Sequence, residues 1–337
     1  TLSFGQKRHW LLERIQPGSS AYHMSAAFAL QGSLNREALE QGLRALIERH
    51  EPLRTVMRED ASHEPYGFLL PTPAASAVLR VTDLSSDNHL DPESELEGLL
   101  KQETLLAFDL SQDIALRAHL FVLAPERHVL SIVIHHHACD GLSIAILTSE
   151  LGQAYQAACG GRAPDLKPLP IQYADWAAWQ ERFFSQDPSG RATLQAKIER
   201  AKARLAHMPD RLTLPVDHAR ATGRKRRAGW LGWHLPSNHR LSIEGLAKAR
   251  QTTLFTIILS ALGLTLSRLS QQAELVIGSP VSGRGHSQID DLVGFFVNTL
   301  VIPLSMTPQQ TVRSLIDHTR AQVETALADQ DLPFERL

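Results

Sequence analysis

Three consecutive histidines end an apolar run in the stretch SIVIHHHACDGLSIA, residues 131–145. His135, His136 and His137 are followed by Asp140 and Gly141. An imidazole has a pKa of about 6.5, so it accepts and returns protons near neutral pH. Neighbours in an extended chain point to opposite faces, which places His135 and His137 on one side and His136 on the other. The stretch predicts that one face carries the chemistry while the other serves packing or hydrogen bonding.

Two other chemistries use histidines of this kind. A zinc site needs three or four ligands at defined spacing, and the sequence contains neither HExxH nor CxxC. A serine hydrolase needs a nucleophile elbow, and no GxSxG is present. Asp140 follows His136 on the same tight loop, where it is poorly placed to orient the ring. We therefore expect no metal, and we expect Asp140 to be buried against an arginine that holds the loop in shape.

The histidine cluster is predicted to lie between a strand and a helix. Residues 115–134 have the pattern of a β-hairpin with its turn at APER. Residues 142–159 have apolar side chains at helical spacing, and Gly160 and Gly161 follow them as a helix stop. A loop at the end of a buried strand is a usual place for catalytic side chains.

Length and composition exclude several classes of protein. The chain has 337 residues, is 43% hydrophobic and carries a net charge of −2, which favours two subdomains and gives no field for nucleic acid or an anionic membrane. The basic run at residues 224–227 is interpreted as a solvated loop. The two cysteines have no CxxC spacing, no signal peptide is visible and no apolar run is long enough to span a bilayer, so we expect a cytoplasmic protein.

Helices and strands are predicted in both halves of the chain, which indicates a two-part α/β architecture. We place the subdomains at residues 1–170 and 171–337. The helix of the first half with the clearest signals begins after Asn35, a good N-cap residue. From residue 241 on we expect two helices, a strand, a further strand and a last helix, at residues 241–250, 254–269, 274–278, 293–304 and 311–330.

The segment His135-His136-x-x-x-Asp140-Gly141 matches the HHxxxDG motif of the chloramphenicol-acetyltransferase-like acyltransferases. Six further stretches, in chain order, resemble the motifs of nonribosomal peptide synthetase condensation domains. They are SFGQKRHWLL (3–12), RHEPLRTVM (49–57), YADWAAW (173–179), IGSPVSGR (277–284), VGFFVNTL (293–300) and DQDLPFE (329–335). Four positions depart from the usual residues, with Gly5 for Ala, Met57 for Phe, Trp176 for Tyr and Asp329 for His. Seven ordered matches over nearly the whole chain make the resemblance specific.

The resemblance implies an α/β fold of the α+β sandwich type, with two chloramphenicol-acetyltransferase-like subdomains in a V-shaped pseudo-dimer. The family continues beyond the last motif, so the second subdomain is expected to be incomplete at Leu337. The implied active site lies at the junction, in a tunnel open at both ends. A thioester donor and an acceptor amine, each on the phosphopantetheine arm of a carrier protein, meet there and form an amide.

The resemblance also implies partners and absences. Donor and acceptor carrier proteins are the expected partners, with an adenylation domain adjacent. The domain itself is expected to bind no cofactor, because the phosphopantetheine arms of the carriers deliver the substrates. Nucleic acid and membrane are not expected partners.

Roles carry over to individual residues. His136 corresponds to the catalytic histidine, as the base or as the group that guides the amine, and His135 completes the pair. Asp140 is expected to form a structural ion pair with Arg284, and Arg54 is the second choice of partner.

Four residues are expected along the tunnel: Gly141, Ser282, Asn298 and Thr299. A side chain at Gly141 would obstruct the acceptor's route or strain the turn, and the sequence leaves both explanations open.

Other functions of the superfamily stay open at this point. One is a stand-alone or starter-type acyltransferase that forms an ester or N-acyl bond with a free or fatty-acyl substrate. Another is a non-catalytic platform that recruits partner enzymes, although loss of the HHxxxDG residues is typical of such relatives and all four are present here. Heterocyclisation relatives carry DxxxxD instead. The sequence names neither substrate.

Overall fold

A computed structural model describes residues 1–85, 91–218 and 231–337. The described residues form nine α-helices and eight strands, joined by loops and short 3₁₀ turns. The helices are α1 (Phe4–Ile15), α2 (Arg36–Arg49), α3 (Pro92–Leu105), α4 (Gly141–Cys159), α5 (Tyr173–Ser185), α6 (Pro188–Leu205), α7 (Ser237–Ala249), α8 (Leu254–Ser270) and α9 (Val312–Ala328). The strands are β1 (His23–Gln31), β2 (Thr55–Glu59), β3 (Pro65–Leu69), β4 (Leu79–Asp83), β5 (Leu116–Ala124), β6 (Arg127–His135), β7 (Glu274–Val281) and β8 (Asn298–Ser305). The basic run at residues 224–227 lies outside the described residues.

The described chain divides into two compact units. The first comprises Thr1–Thr193 with Ser282–Val297, and the second comprises Leu194–Val281 with Asn298–Leu337. The predicted boundary after residue 170 does not coincide with this division. Helix α5 and the segment Ser282–Val297 group with the first unit, which is therefore discontinuous in sequence.

Helix α5 is held in the first unit by its first residue. The Tyr173 side chain is 2% exposed, and its hydroxyl lies 2.7 Å from the carbonyl oxygen of Phe295 and 2.8 Å from Oγ of Ser3. A Cβ at Gly294 would lie 2.1 Å from the Tyr173 ring. Glycine is thus required where the backbone of this segment passes the ring.

The core of the first unit lies between a four-stranded sheet and two helices. The sheet order is β1-β6-β5-β4, with β6 antiparallel to both neighbours and β4 parallel to β5. Leucines and isoleucines of α2, α4, β5 and β6 form one buried cluster, and their burial is the main stabilising contribution. The predicted hairpin and the two helices are confirmed. Asn35 caps α2 by accepting from the amide of Ala38, and α4 ends at Cys159 with Gly160 as its C-cap.

The second unit packs α8 and α9 against the antiparallel pair β7 and β8. The predicted helices and β7 are confirmed. The strand predicted from residue 293 is wrong at its start, because β8 begins at Asn298. Phe295 and Phe296 are buried, at 4% and 3% exposure, in an aromatic cluster of the first unit. Their apolar character is therefore explained by side-chain packing and not by a place in a β-strand.

One finding bears on membranes. Taken singly, none of the helices in the described part of the chain combines the length and apolar character needed to cross a bilayer, while α7 and α8 meet both criteria together as a pair bent by 105°.

Asn298 ties β8 to the last residues of the second unit. Its Nδ2 donates to the carbonyl oxygens of Gln330 and Leu332, at 2.8 and 2.6 Å. Its Oδ1 accepts from the amide of Phe334 at 3.1 Å. Both ends of the side-chain amide are therefore used to hold the DQDLPFE stretch.

We expect Asn298→Ala to lower the free energy of unfolding by about 1–3 kcal/mol, since it removes the partner of two carbonyl oxygens and one amide. Exchange of the Phe334 amide with deuterium should accelerate, which mass spectrometry of peptides measures. Asn238→Ala, at an exposed position of α7, is the matched control and should change neither quantity. Unchanged exchange at Phe334 in the Asn298 variant would contradict this role.

Candidate active site

The three histidines lie where β6 ends and α4 has not yet begun. His135 is the last residue of β6, and residues 136–138 form a 3₁₀ turn. His135 and His137 are buried, with their Nδ1 atoms 2.8 Å apart. His136 is half-buried, and its amide donates to the carbonyl oxygen of Tyr22. The prediction that the outer two histidines share a side is confirmed by their contact.

The ring of His136 is held in one tautomer. Its Nδ1 lies 2.7 Å from the carbonyl oxygen of Cys139. A carbonyl oxygen can only accept, so Nδ1 carries the hydrogen and donates. Nε2 of the neutral ring then has a lone pair, and it has no hydrogen-bond partner among the residues that the structure describes. His136 thus presents a proton acceptor.

The flanking histidines are unsuited to that task. Burial lowers the pKa of His137 to about 4. Burial, followed by the nearby imidazole of His137, lowers the pKa of His135 far below its ordinary value. Both rings are therefore neutral near pH 7, and their mutual contact occupies the Nδ1 atom of each. Of the three, His136 alone combines partial exposure with a free ring nitrogen.

Asp140 is the anchor of the loop. It is 1% exposed and caps α4, with Oδ1 accepting from the amide and the hydroxyl of Ser143 at 2.9 and 2.8 Å. Its Oδ2 accepts from the amide of Phe296 at 3.2 Å. Nη2 of Arg284 lies 3.2 Å from Oδ1 and 3.4 Å from Oδ2. The carboxylate is thus shared among the helix start, the buried segment and an arginine.

Arg284 is the partner predicted first for Asp140, and the pair is buried, with side-chain exposures of 4% and 1%. Its Nη1 donates to the carbonyl oxygens of Ile289 and Leu292, at 2.5 and 2.8 Å. The guanidinium lies 4.2 Å from the centre of the Phe296 ring. Each of these contacts compensates part of the cost of removing the charge from water.

Arg54, the second choice, is used elsewhere. Its guanidinium donates to the carbonyl oxygens of Ile47 and Leu70, at 3.2 and 2.7 Å. It closes the turn between α2 and β2 and is not the partner of Asp140.

Comparison with known proteins decides the family. The sequence matches the Condensation domain family over residues 1–337. The chain belongs to the condensation domains. The predicted resemblance and fold class are therefore confirmed.

Two curated relatives of this condensation domain are synthases that are much longer than this chain. The dimodular nonribosomal peptide synthase of Bacillus subtilis (strain 168) is 35% identical over 336 residues, which cover 100% of this chain and 14% of the relative. The isonitrile lipopeptide synthase of Mycobacterium tuberculosis is 34% identical over 336 residues, covering 100% and 13%. The chain spans about one seventh of the length of these relatives.

Two solved structures have the same fold. The X-domain from teicoplanin biosynthesis, in complex with OxyB, has a TM-score of 0.87 and 27% identity, covering 99% of this chain and 71% of that one. The first condensation domain of the calcium-dependent antibiotic synthetase, with a substrate analogue, has a TM-score of 0.82 and 22% identity, covering 100% and 77%.

Gly141 of the condensation domain begins α4 and is exposed. A Cβ there meets no heavy atom within 4 Å, and its φ lies outside the left-handed region. The explanation that the turn needs glycine for its backbone torsion is therefore wrong. The remaining explanation is that Gly141 leaves open space beside the histidine turn.

The other predicted tunnel residues fall in different units. Ser282 is half-buried in the first unit, two residues before Arg284 in sequence. Asn298 and Thr299 belong to the second unit at the start of β8. Their lining of a common tunnel with Gly141 stays a prediction.

Two residues that the sequence analysis did not single out contact His136. The ring of Phe295 is perpendicular to the His136 ring, with centres 4.9 Å apart. The ring of His9 stacks on it at 5.9 Å and 29°. One sequence signal existed: Ser3, Gln6 and His9 are polar and spaced by three, which places them on one face of α1, and all three are buried.

No group of three His, Cys, Asp or Glu side chains in the described ranges is arranged to hold a metal ion. The proton chemistry of His136 is what the geometry of the described site offers.

Asp140→Ala would leave the Arg284 charge buried without its carboxylate, so we expect the free energy of unfolding to fall by about 3–5 kcal/mol. The measurement is urea denaturation, with soluble yield as a second indicator. Asp290→Ala, at an exposed position, is the control and should be near neutral. The double variant Asp140→Ala, Arg284→Met should recover part of the loss, because no charge is left unpaired. A stable, soluble Asp140→Ala would contradict the anchoring role.

Proposed function

We propose that this domain catalyses amide-bond formation between a carrier-bound acyl or peptidyl thioester and a carrier-bound aminoacyl acceptor, with His136 at the reacting centre. The single observation that carries the proposal is the 2.7 Å hydrogen bond from Nδ1 of His136 to the carbonyl oxygen of Cys139. It fixes the tautomer and leaves Nε2 as an acceptor. Membership of the condensation domain family and similarity to the two synthases support the reaction class.

The chemistry balances with one acceptor. The amine nitrogen attacks the thioester carbonyl carbon, a C–N bond forms and the C–S bond breaks. Nε2 of His136 takes the proton that the amine loses, and the departing thiolate of the phosphopantetheine arm receives it. The ring begins and ends neutral, as a general base that becomes a general acid must.

A covalent acyl-enzyme is not required. Cys139, the thiol nearest to the motif histidines in sequence, is fully buried. Burial raises the pKa of its thiol above the ordinary value, so the sulfur stays protonated and inaccessible. Direct transfer from donor to acceptor is therefore the route that we propose.

The proposal includes the setting of the reaction. Donor and acceptor carrier proteins present their substrates on phosphopantetheine arms, and an adjacent adenylation domain activates the amino acid. We keep the cytoplasm as the compartment, since Cys139 and Cys159 are both free thiols. An ester instead of an amide, from a stand-alone or starter-type enzyme, is the alternative product.

Partner recruitment is the second candidate function. The observation in its favour is the similarity to the X-domain from teicoplanin biosynthesis, which was solved as a complex with OxyB. A platform has no use for a fixed His136 tautomer with an unpartnered Nε2. The geometry of that ring therefore favours catalysis.

We expect His136→Ala to lower the rate of product formation by about 10²-fold to 10⁴-fold, because a positioned proton acceptor is lost. Mass spectrometry of products from loaded carrier proteins measures the rate, and circular dichroism verifies the fold. His239→Ala, at an exposed position of α7, should react like the wild type. Full activity in a folded His136→Ala would remove His136 from the reaction.

Gly141→Trp should give a folded protein, since a Cβ meets open space at this position. If the acceptor passes here, the donor carrier still binds while no bond forms to a carrier-bound amine. Gly98→Trp on α3 is the matched control, because Gly98 is also helical and exposed, with no heavy atom within 4 Å of a Cβ. Normal condensation by the Gly141 variant would mean that the acceptor's route runs elsewhere.

A further inference from the structure

His9 is a buried imidazole that the mechanism above does not use. It lies on α1 and is 2% exposed. Neither of its ring nitrogens has a hydrogen-bond partner within the described parts of the chain. Burying a polar ring without partners is unfavourable by about 1–3 kcal/mol, so the nitrogens of His9 do not stabilise the fold through hydrogen bonds. Burial also lowers the pKa of His9 to about 2, which keeps the ring neutral.

The contacts of His9 are with other rings. Tyr22 and Phe295 pack against it at right angles, with ring centres at 4.6 and 4.7 Å. His135 lies at 5.7 Å, also edge to face. The ring of His136 is the most nearly parallel to His9 of these rings, with centres 5.9 Å apart and an angle of 29° between the planes. These are the separations at which aromatic rings attract each other.

Among the described residues, the ring of His136 makes one hydrogen bond, from Nδ1 to the carbonyl oxygen of Cys139, and this bond leaves the ring one degree of freedom. A ring held at Nδ1 alone can still tilt about that bond, and Nε2 lies on the far side of the ring. The face contact with His9 and the edge contact with Phe295, at 4.9 Å, oppose tilting in two directions. Together with the carbonyl oxygen of Cys139 they fix where Nε2 points.

Phe295 is itself positioned by α1. A Cβ at Gly5 would lie 2.6 Å from the Phe295 ring, closer than atoms can approach. Gly5 is one helical turn before His9, so both residues face the same ring. The guanidinium of Arg8 lies 5.7 Å from the centre of that ring. The first helix thus sets both rings that enclose His136.

We propose that His9 is a positioning residue for the reaction: its ring face, with Phe295, holds the ring of His136 so that Nε2 points at the reacting amine. This inference rests on the proposed function of His136. It assigns to the ring of His9 a part in catalysis without contact to the substrate.

His9→Leu removes the ring and keeps an apolar side chain of similar bulk. The expected result is a fall in kcat of about 10-fold to 100-fold, with KM for both loaded carriers unchanged, since misplacement of a reacting group affects the chemical step. His9→Phe keeps a flat ring without nitrogens and should restore most of the rate. His128→Leu removes another buried histidine, from β6, whose Nδ1 is also unpartnered among the described residues, and should leave kcat unchanged.

A second measurement does not depend on activity. NMR spectra report the orientation of the His136 ring through the NOEs between its ring protons and those of Phe295, whose ring centre lies 4.9 Å away. These NOEs should be the same in the wild type and in His9→Phe, while His9→Leu should weaken them, because the His136 ring is then free to tilt. Gly5→Ala should displace the Phe295 ring and change the same signals, and it provides a second test if His9→Leu does not fold.

The inference is overturned if folded His9→Leu keeps both the wild-type kcat and the wild-type His136 signals. It is also overturned if His9→Phe is as slow as His9→Leu, because the nitrogens and not the ring face would then matter. If instead His136→Ala is fully active, the proposed function fails. The NOEs of the His136 ring in the His9 variants still decide whether His9 positions that ring.

Discussion

The buried pair of Asp140 and Arg284 is the constraint on which the site depends. Two charges removed from water are tolerated when hydrogen bonds compensate them, and here both carboxylate oxygens of Asp140 and both Nη atoms of Arg284 have partners. The carboxylate accepts from the backbone at the start of α4 and from the amide of Phe296, while Arg284 donates to the carbonyl oxygens around Leu292. The pair therefore holds three segments together in one arrangement: the start of α4, the segment that contains Phe296 and the turn around Leu292.

Around this charged anchor, the site contains neutral rings. Burial disfavours the charged form of His9, His135 and His137, so these three imidazoles stay neutral near pH 7. They serve as packing against one ring that keeps a free nitrogen. A cluster of histidines thus need not be a relay, and here it isolates one acceptor within a shell of aromatic surface.

Local patterns in the sequence were enough to predict the elements that carry the site. The hairpin before His136 and the helix after it follow from period and stop signals, and the partner of Asp140 follows from the family's motifs. The aromatic enclosure did not, because α1 and Phe295 are distant in sequence and a lone histidine in a helix gives no signal of its neighbours. Residues 293–297 are apolar enough to suggest a strand, yet they are buried by aromatic packing. Apolar and aromatic residues indicate that a segment is buried, but they do not indicate whether a neighbouring strand or other side chains cover it.

The first unit is interrupted in sequence by most of the second. Arg284 follows Asp140 by 144 residues, and at a synthesis rate of about 5–20 residues per second the ribosome needs roughly 7–30 s to make that stretch. During this interval the Asp140 carboxylate has no arginine, and an unpaired charge is retained in water. The anchor of the turn that carries His136 can therefore be completed on the nascent chain only after Arg284 has been made, although every strand of the sheet beneath the turn has by then been synthesised.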